Sequence, residues 1–398
     1  MRGNMNNRKM IKIIKKIVHI LIGYISLLSI RNKKIYLFGS WFGEKFSDNP
    51  KYLYLEAIKD KNIKAIWITK NIEVCKYLNS QDYEAYLYNS IKGISYQVRA
   101  KYYFICTSLN DVNSYLISGS KLINLWHGIP LKKIMWDDKG SNAYYKKNNI
   151  EKFIYKMIKK IMPKYNEYLL SSSPQITKIY TSAFKIKENS IFELGQPRND
   201  VFFDQTLEDK DFPDLYKRKP VVLYMPTHRN EGKIKIESKS LFRLVELDKF
   251  CVANNILFLI KKHFYHRNES EELENFKNIT NKTYDTQMLL KYADVLITDY
   301  SSCYIDYLLL DRPIIFYYYD YNGYLLNDRE LYFPYDKVTP GIKVTTFDEL
   351  FIALQSIIED KKDEFQEERN EIKDLFYSKE NQNLVGPKIL DFVKRDLK

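Results

Sequence analysis

Four short stretches carry residues that could do chemistry, and each follows an apolar run. The first is Trp126-His127-Gly128, directly after Leu122–Leu125. An α/β sheet presents its ligands outside the carboxyl ends of its strands, so a histidine there suits a general base. The second lies within ADVLITDYSSCYIDYLLLDRPIIFYYYD, residues 293–320. Val295, Leu296 and Ile297 read as a strand buried on both faces, Thr298 and Asp299 end it, and Ser301 and Ser302 precede a helix that Asp311-Arg312-Pro313 stops. Free backbone N–H groups and the positive end of a helix make such a turn an anion site. The third stretch runs from Val221–Met225 into Thr227, His228 and Arg229, and the fourth from Ile256–Ile260 into Lys261, Lys262 and His263. Plain alternatives exist for the first two: a strand-end histidine can be a structural hydrogen-bonder, and Ser-Ser can be a helix cap.

Metal chemistry is not expected. His263 and His266 stand three apart with no evident third ligand, and Asp209-Lys210-Asp211 sits in a polar tract with no apolar strand before it, so it reads as linker. Cys75, Cys106, Cys251 and Cys303 are far apart with no CxxC spacing, which points to a reducing compartment. No cofactor, P-loop or internal repeat is expected.

The elements that must position these groups alternate between short strands and helices, the pattern of doubly wound α/β sheets. Strands are expected at 35–38, 65–69, 102–106, 122–125 and 169–173, then at 221–225, 256–260, 295–297 and 314–319. Helices are expected at 50–60, 72–79, 144–168 and 241–254, with a helical, charged segment from 347 onward. At 398 residues the chain exceeds one ordinary core, and the charged, proline-bearing tract 204–220 suits a boundary. The resulting division is an N-terminal segment over 1–32, a first Rossmann-like α/β domain over 33–205 and a second over 215–398.

Lysine and arginine number 63 against 50 Asp and Glu, a formal +13 that favours an anionic partner. The charge accompanies a general excess of Lys, Ile, Asn and Tyr, so it does not by itself choose among nucleic acid, membrane and phosphate-rich substrate. Residues 11–30 are apolar with one narrow polar face, Lys12, Lys15, Lys16, His19, Gly23 and Ser26 at 100° per residue. The uninterrupted part is short for a bilayer span, and no cleavage site of signal-peptide type follows. A helix lying in an anionic membrane interface, lysines over the headgroups, is one reading, and a helix packed on the next domain is the other. The lysine-rich face of 144–168 offers a second such contact.

Six motifs in order add a resemblance. Ser40-Trp41-Phe42-Gly43 with Ser47-Asp48-Asn49-Pro50, then NLWHGIPLKKI (124–134), GQPRND (195–200), YMPTHR (224–229), KKH (261–263) and TDYSSCYIDYLLLDRPIIFYYYD (298–320) resemble the CDP-glycerol glycerophosphotransferase family of teichoic acid synthesis. The match spans about residues 35–345. It implies a GT-B-like architecture, two Rossmann-type domains facing a central cleft. It also implies transfer of glycerol phosphate or a related alditol phosphate from a CDP donor to a hydroxyl of a lipid-linked or polyol-phosphate acceptor, releasing CMP, in teichoic acid or capsule-type polymer synthesis. Carried over by motif, His127 is the general base and His263 contacts the diphosphate. Ser301 and Ser302, with Thr298 and Thr227 beside them, bind donor phosphate, Asp299 orients their turn, Arg229 faces the charge developing on the leaving phosphate, and Trp126, Gly128, Arg198 and Asn199 line the acceptor side or the cleft. His228 stands where many relatives carry Trp, and Arg329-Glu330-Leu331 replaces a frequent Arg-Gly-aromatic sequence. The family setting implies a peripheral protein on the cytoplasmic face of the membrane. Competing expectations are a GT-B glycosyltransferase using a nucleotide sugar and a non-enzymatic membrane-surface or nucleic-acid-binding protein. The latter lacks an interleaved basic-aromatic platform, so no nucleic acid partner is expected.

Overall fold

A computed structural model describes residues 17–140, 147–161, 163–209, 212–227, 238–262, 273–280, 282–321 and 330–397. Two wholly parallel sheets form the framework. The first has seven strands, β1 (Asn32–Phe38), β2 (Lys64–Thr69), β3 (Ala85–Leu87), β4 (Ala100–Ile105), β5 (Lys121–Asn124), β6 (Asn166–Ser171) and β7 (Ile191–Glu193), in the order β3-β2-β1-β4-β5-β6-β7. The second has six, β8 (Val221–Met225), β9 (Leu257–Ile260), β10 (Phe276–Asn278), β11 (Val295–Thr298), β12 (Ile314–Tyr317) and β13 (Ile342–Val344), in the order β10-β9-β8-β11-β12-β13.

The central strands are those expected from their apolar runs, because a strand covered by helices on both faces must be apolar at successive positions. Residues 221–224, 257–260, 295–298 and 314–317 are all buried. The unexpected strands, β3, β7, β10 and β13, are the four sheet edges. Each is three residues long, too short to impose a pattern.

One expectation is corrected. The basic helix expected over 144–168 is described over Asn149–Ile161, and β6 already begins at Asn166. Pro163, which lacks an N–H and cannot continue the helical ladder, separates them. Of the two readings of residues 11–30, the described part of the helix, 17–27, shows the packing on the next domain, with its polar residues turned inward. His19 Nε2 lies 3.2 Å from the Ser114 carbonyl, the Ser26 hydroxyl donates to the Leu116 carbonyl at 2.8 Å, and Gly23 lies so close to Pro163 that a Cβ would stand 2.7 Å from it. Arg31 secures this seat by donating to the Ser26 hydroxyl at 2.7 Å and to the Leu116 carbonyl at 2.8 Å. Lys12, Lys15 and Lys16 lie outside the described residues.

One hydrophobic cluster spans both sheets, and in it Trp126, Ile129, Leu131 and Tyr180 join Leu223, Leu296, Tyr304 and Phe316. The last helix, Gly386–Arg395, returns to the first sheet. Ile389, Leu390 and Val393 pack with Tyr36, Phe38 and Tyr54, and the Asp200 carboxylate accepts the Val385 and Gly386 N–H groups at 2.9 and 2.7 Å. The chain therefore crosses between its halves twice.

Candidate active site

β5 ends at Asn124, and two residues later Trp126 adopts φ 55° and Gly128 φ 123°. These left-handed conformations reverse the chain sharply and leave His127 at the apex of the turn. Trp41, Phe42 and Asp48, in the facing loop, also have positive φ, so strained non-glycine backbone gathers around this histidine.

His127 is half-buried between two indoles, its ring centroid 4.1 Å from that of Trp126 and 5.6 Å from that of Trp41. Its Nδ1 lies 2.8 Å from the Cys106 carbonyl oxygen. A carbonyl only accepts, so Nδ1 carries the proton and Nε2 keeps a lone pair, the tautomer of a base. Asp111 fixes that carbonyl in turn: its Oδ2 accepts from the Cys106 and Thr107 N–H groups at 2.9 and 2.8 Å. Burial pulls the His127 pKa below the ordinary 6.5, and the Arg198 charge acts in the same direction against the nearby Asp48 carboxylate. The imidazole is therefore neutral at pH 7.

Arg198, largely covered, and Asn199, buried, lie at the junction between the halves. The Arg198 guanidinium donates to the His127 carbonyl at 2.9 Å, to Asp48 Oδ1 at 3.2 Å and to Asp306 Oδ2. Asp306 belongs to the helix Cys303–Tyr307 that follows Ser301-Ser302, so one guanidinium ties the histidine turn of the first sheet to the serine turn of the second. Asn199 donates to Asp306 Oδ1 at 3.1 Å, and the Tyr377 hydroxyl donates to the same oxygen at 2.8 Å. Asn49 completes the frame: its Nδ2 donates to the Leu125 and Trp126 carbonyls at 3.2 and 2.9 Å, and its Oδ1 accepts the Arg198 N–H at 3.0 Å. Glycine suits this position because side-chain-bearing residues rarely adopt its φ of 123°, and a Cβ would also press on the Arg198 guanidinium at 2.5 Å.

On the other sheet, Asp299 Oδ1 accepts the N–H groups of Thr227 and Tyr300 at 2.8 and 2.6 Å, which clamps the end of β8 to the end of β11. The Thr298 hydroxyl donates to the Met225 carbonyl at 2.7 Å. Ser302 occupies the cap position of the following helix without a side-chain capping bond, and the Ser301 hydroxyl accepts the Cys303 N–H at only 3.4 Å. The serine pair is thus only weakly engaged in capping, and its hydroxyls are suited to an oxyanion. His263 and Arg229 lie outside the described residues. Among the described residues no group of three His, Cys, Asp or Glu gathers at metal-binding spacing.

The structural partners missed in the sequence are Asp111, Asp306 and Tyr377. Asp306 had a signal, a lone carboxylate inside the apolar helix CYIDYLLL, which must be paired if it is buried.

Two doubly wound parallel sheets joined at a histidine-bearing turn on one side and a hydroxyl-bearing turn on the other define a protein of GT-B architecture. The chain belongs to the CDP-glycerol:poly(glycerophosphate) glycerophosphotransferase family, whose model matches residues 22–393. It is 31% identical over 378 residues to the teichoic acid glycerol-phosphate transferase of Staphylococcus aureus, covering 92% of this chain and 94% of that one. It is also 31% identical to a teichoic acid poly(glycerol phosphate) polymerase of Bacillus spizizenii, covering 84% and 86% of the two chains. The structure of the wall teichoic acid polymerase TagF superposes with a TM-score of 0.69 at 26% identity, over 98% of both chains. The chain is a glycerophosphotransferase of teichoic acid synthesis, and the nucleotide-sugar and non-enzymatic readings fall.

Proposed function

We infer that the protein moves glycerol phosphate from CDP-glycerol to a terminal hydroxyl of a lipid-linked or polyol-phosphate acceptor at an anionic membrane surface. His127 Nε2 removes the proton of the acceptor hydroxyl as its oxygen attacks the β-phosphorus. The bond from that phosphorus to the bridging oxygen breaks, and CMP leaves with the electron pair. Ser301, Ser302 and Thr227 hold donor phosphate, with Asp299 orienting their turns and His263 and Arg229 completing the donor end. Trp126 borders the acceptor, whereas Arg198, Asn199 and Gly128 set the turn that carries the base. The fixed Nδ1–H tautomer of His127 carries this reading, and a TagF structure soaked with CDPG supports the donor. Glycerol is favoured over ribitol because the relatives matched at 31% over most of their length are both glycerol-phosphate enzymes. A panel of CDP-glycerol, CDP-ribitol and UDP-sugars tests it: CMP release from CDP-glycerol is expected, and release of UDP alone would refute it.

The membrane part rests on the outward face of the N-terminal helix. Ile25 is 67% exposed and Leu28 85%, with Ile17 and Leu21 also exposed beside them. The Tyr24 hydroxyl donates to the Ile161 carbonyl at 3.1 Å, which sets this helix against the end of helix Asn149–Ile161, where Met157 and Ile161 are exposed and Lys156 and Lys160 reach solvent. An apolar face rimmed by lysines suits insertion at the headgroup boundary. No helix among the described residues is long and apolar enough to cross a membrane. Burying each such side chain contributes about 1.5–3 kcal/mol, so replacing Leu21, Ile25 and Leu28 together by serine is expected to weaken partition onto anionic vesicles by more than about tenfold. Unchanged co-sedimentation would contradict the membrane assignment.

A further inference from the structure

Beside the histidine turn lies an unassigned cavity of about 600 Å³. The chain that leaves His127 forms one wall with Lys133, Trp136 and Lys139, the end of helix Pro174–Phe184 forms another with Lys185, and Tyr332 closes it from the second half of the molecule. The cavity is joined to the reaction centre through one layer of side chains. Phe184, next to Lys185, packs edge-on against Trp126 at 4.7 Å, and the Tyr180 hydroxyl of the same helix donates to the Gly128 carbonyl at 3.5 Å.

Its walls are held in place. Lys185 caps its helix with φ 53° and sets its ammonium 3.9 Å from the Trp136 ring centroid, while Met135, with φ 51°, turns the chain so that the Trp136 N–H donates to the Ala183 carbonyl at 3.0 Å. Asp137 Oδ2 accepts the Ser182 and Tyr332 hydroxyls at 2.7 and 2.8 Å, so the carboxylate within the cavity is engaged by neutral donors. Lys133 is paired with the exposed Glu330, and Lys139 is exposed at the mouth. Lys139 and Lys185, beside the Lys133–Glu330 ion pair, an indole, a phenol and one hydroxyl-bonded carboxylate, fit a ligand that alternates phosphate with short carbon-rich polyol units. The lysines attract the phosphates, and the aromatic faces cover C–H groups.

We propose that this cavity is an acceptor subsite that holds a phosphate-bearing polyol unit behind the unit whose hydroxyl reaches His127. It rests on the transfer reading above and adds a second point of attachment for the growing end. Neither proton removal nor donor binding uses Lys139 or Lys185, so their only effect in this scheme is on the acceptor.

The test is a titration of the full chain with a synthetic three-unit glycerol phosphate oligomer, without donor, comparing wild type with Lys139→Glu, Lys185→Glu and the double variant. Lys249→Glu, at an exposed position of helix Leu244–Ala253 in the second half of the molecule, controls for the charge change of the single variants. The double variant is expected to bind the oligomer more than about tenfold more weakly, since two cations that attract its phosphates are replaced by carboxylates that repel them. The acceptor KM is expected to rise while the KM for CDP-glycerol stays constant. Lys139→Glu alone, at an exposed position, keeps the test valid if the double variant folds poorly. Equal oligomer affinity in wild type and Lys139→Glu would overturn the subsite, as would inorganic phosphate competing as well as the oligomer. Because binding is read without donor, a wild type that releases no CMP counts against the transfer reading, whereas oligomer affinity that ignores these lysines counts against the subsite alone.

Discussion

Turnover of the His127→Ala variant is expected to fall by about 10²- to 10⁴-fold, the usual loss when a positioned general base is removed. Nucleotide binding is expected to persist, because the donor phosphates are assigned to the turns of the second sheet. The loss should reside in kcat, since the base acts on a proton that moves only in the transition state. His127→Asn, which can keep a donor toward the Cys106 carbonyl but offers no basic nitrogen, should be as inactive as alanine. The pH profile supplies an independent readout. Burial lowers the His127 pKa below 6.5, and the base works only when neutral. Activity should therefore be full at pH 7 and decline on the acid side, with a midpoint below that of a free imidazole. Near-normal kcat in His127→Ala, or an acid limb centred above 6.5, would remove His127 from the mechanism.

Arg198→Ala is expected to destabilise the protein by about 3–5 kcal/mol, seen as a lower thermal midpoint, and to reduce kcat as well. The reason is uncompensated charge. Asp306 and Asp48 are 2% and 8% exposed, and the guanidinium is their shared partner. Burial acts to lower the Arg198 pKa, but Asp306 and then Asp48 outweigh it and leave the group firmly cationic. Removing the cation strands two carboxylates in a nearly dry junction. Arg198→Lys should recover little, since one ammonium cannot span the two carboxylates and the His127 carbonyl as the planar fork does. A positioning role is separated from a merely structural one by kinetics below the melting transition. With folded variant in hand, kcat should drop while the KM for CDP-glycerol changes little. An Arg198→Ala enzyme with wild-type midpoint and wild-type kcat would show that the junction does not need this ion pair.

Much of the frame was legible along the chain. A parallel strand buried on both faces must be apolar at successive positions, so runs such as Val221–Met225 and Val295–Ile297 announced themselves. His127, Asp299, Ser301 and Ser302 followed as the residues just past those strand ends, where the architecture places its chemistry. The ordered motifs led to the family. The edge strands β3, β7, β10 and β13 stayed hidden, because three residues with one neighbouring strand impose no periodicity.

What the tertiary structure decided concerns partners distant in sequence. Nothing local in Asp48, Arg198 or Asp306 says that they meet, and only the closure of two sheets on a common core brings them within hydrogen-bonding distance. The same holds for the N-terminal helix. Its periodicity defined two faces, but the seat for Ser26 and Gly23 beside Leu116 and Pro163 chose which one turns inward, leaving the apolar side out. Sequence pattern fixes how much of an element is buried; which surface buries it is set by neighbours that only the folded chain supplies.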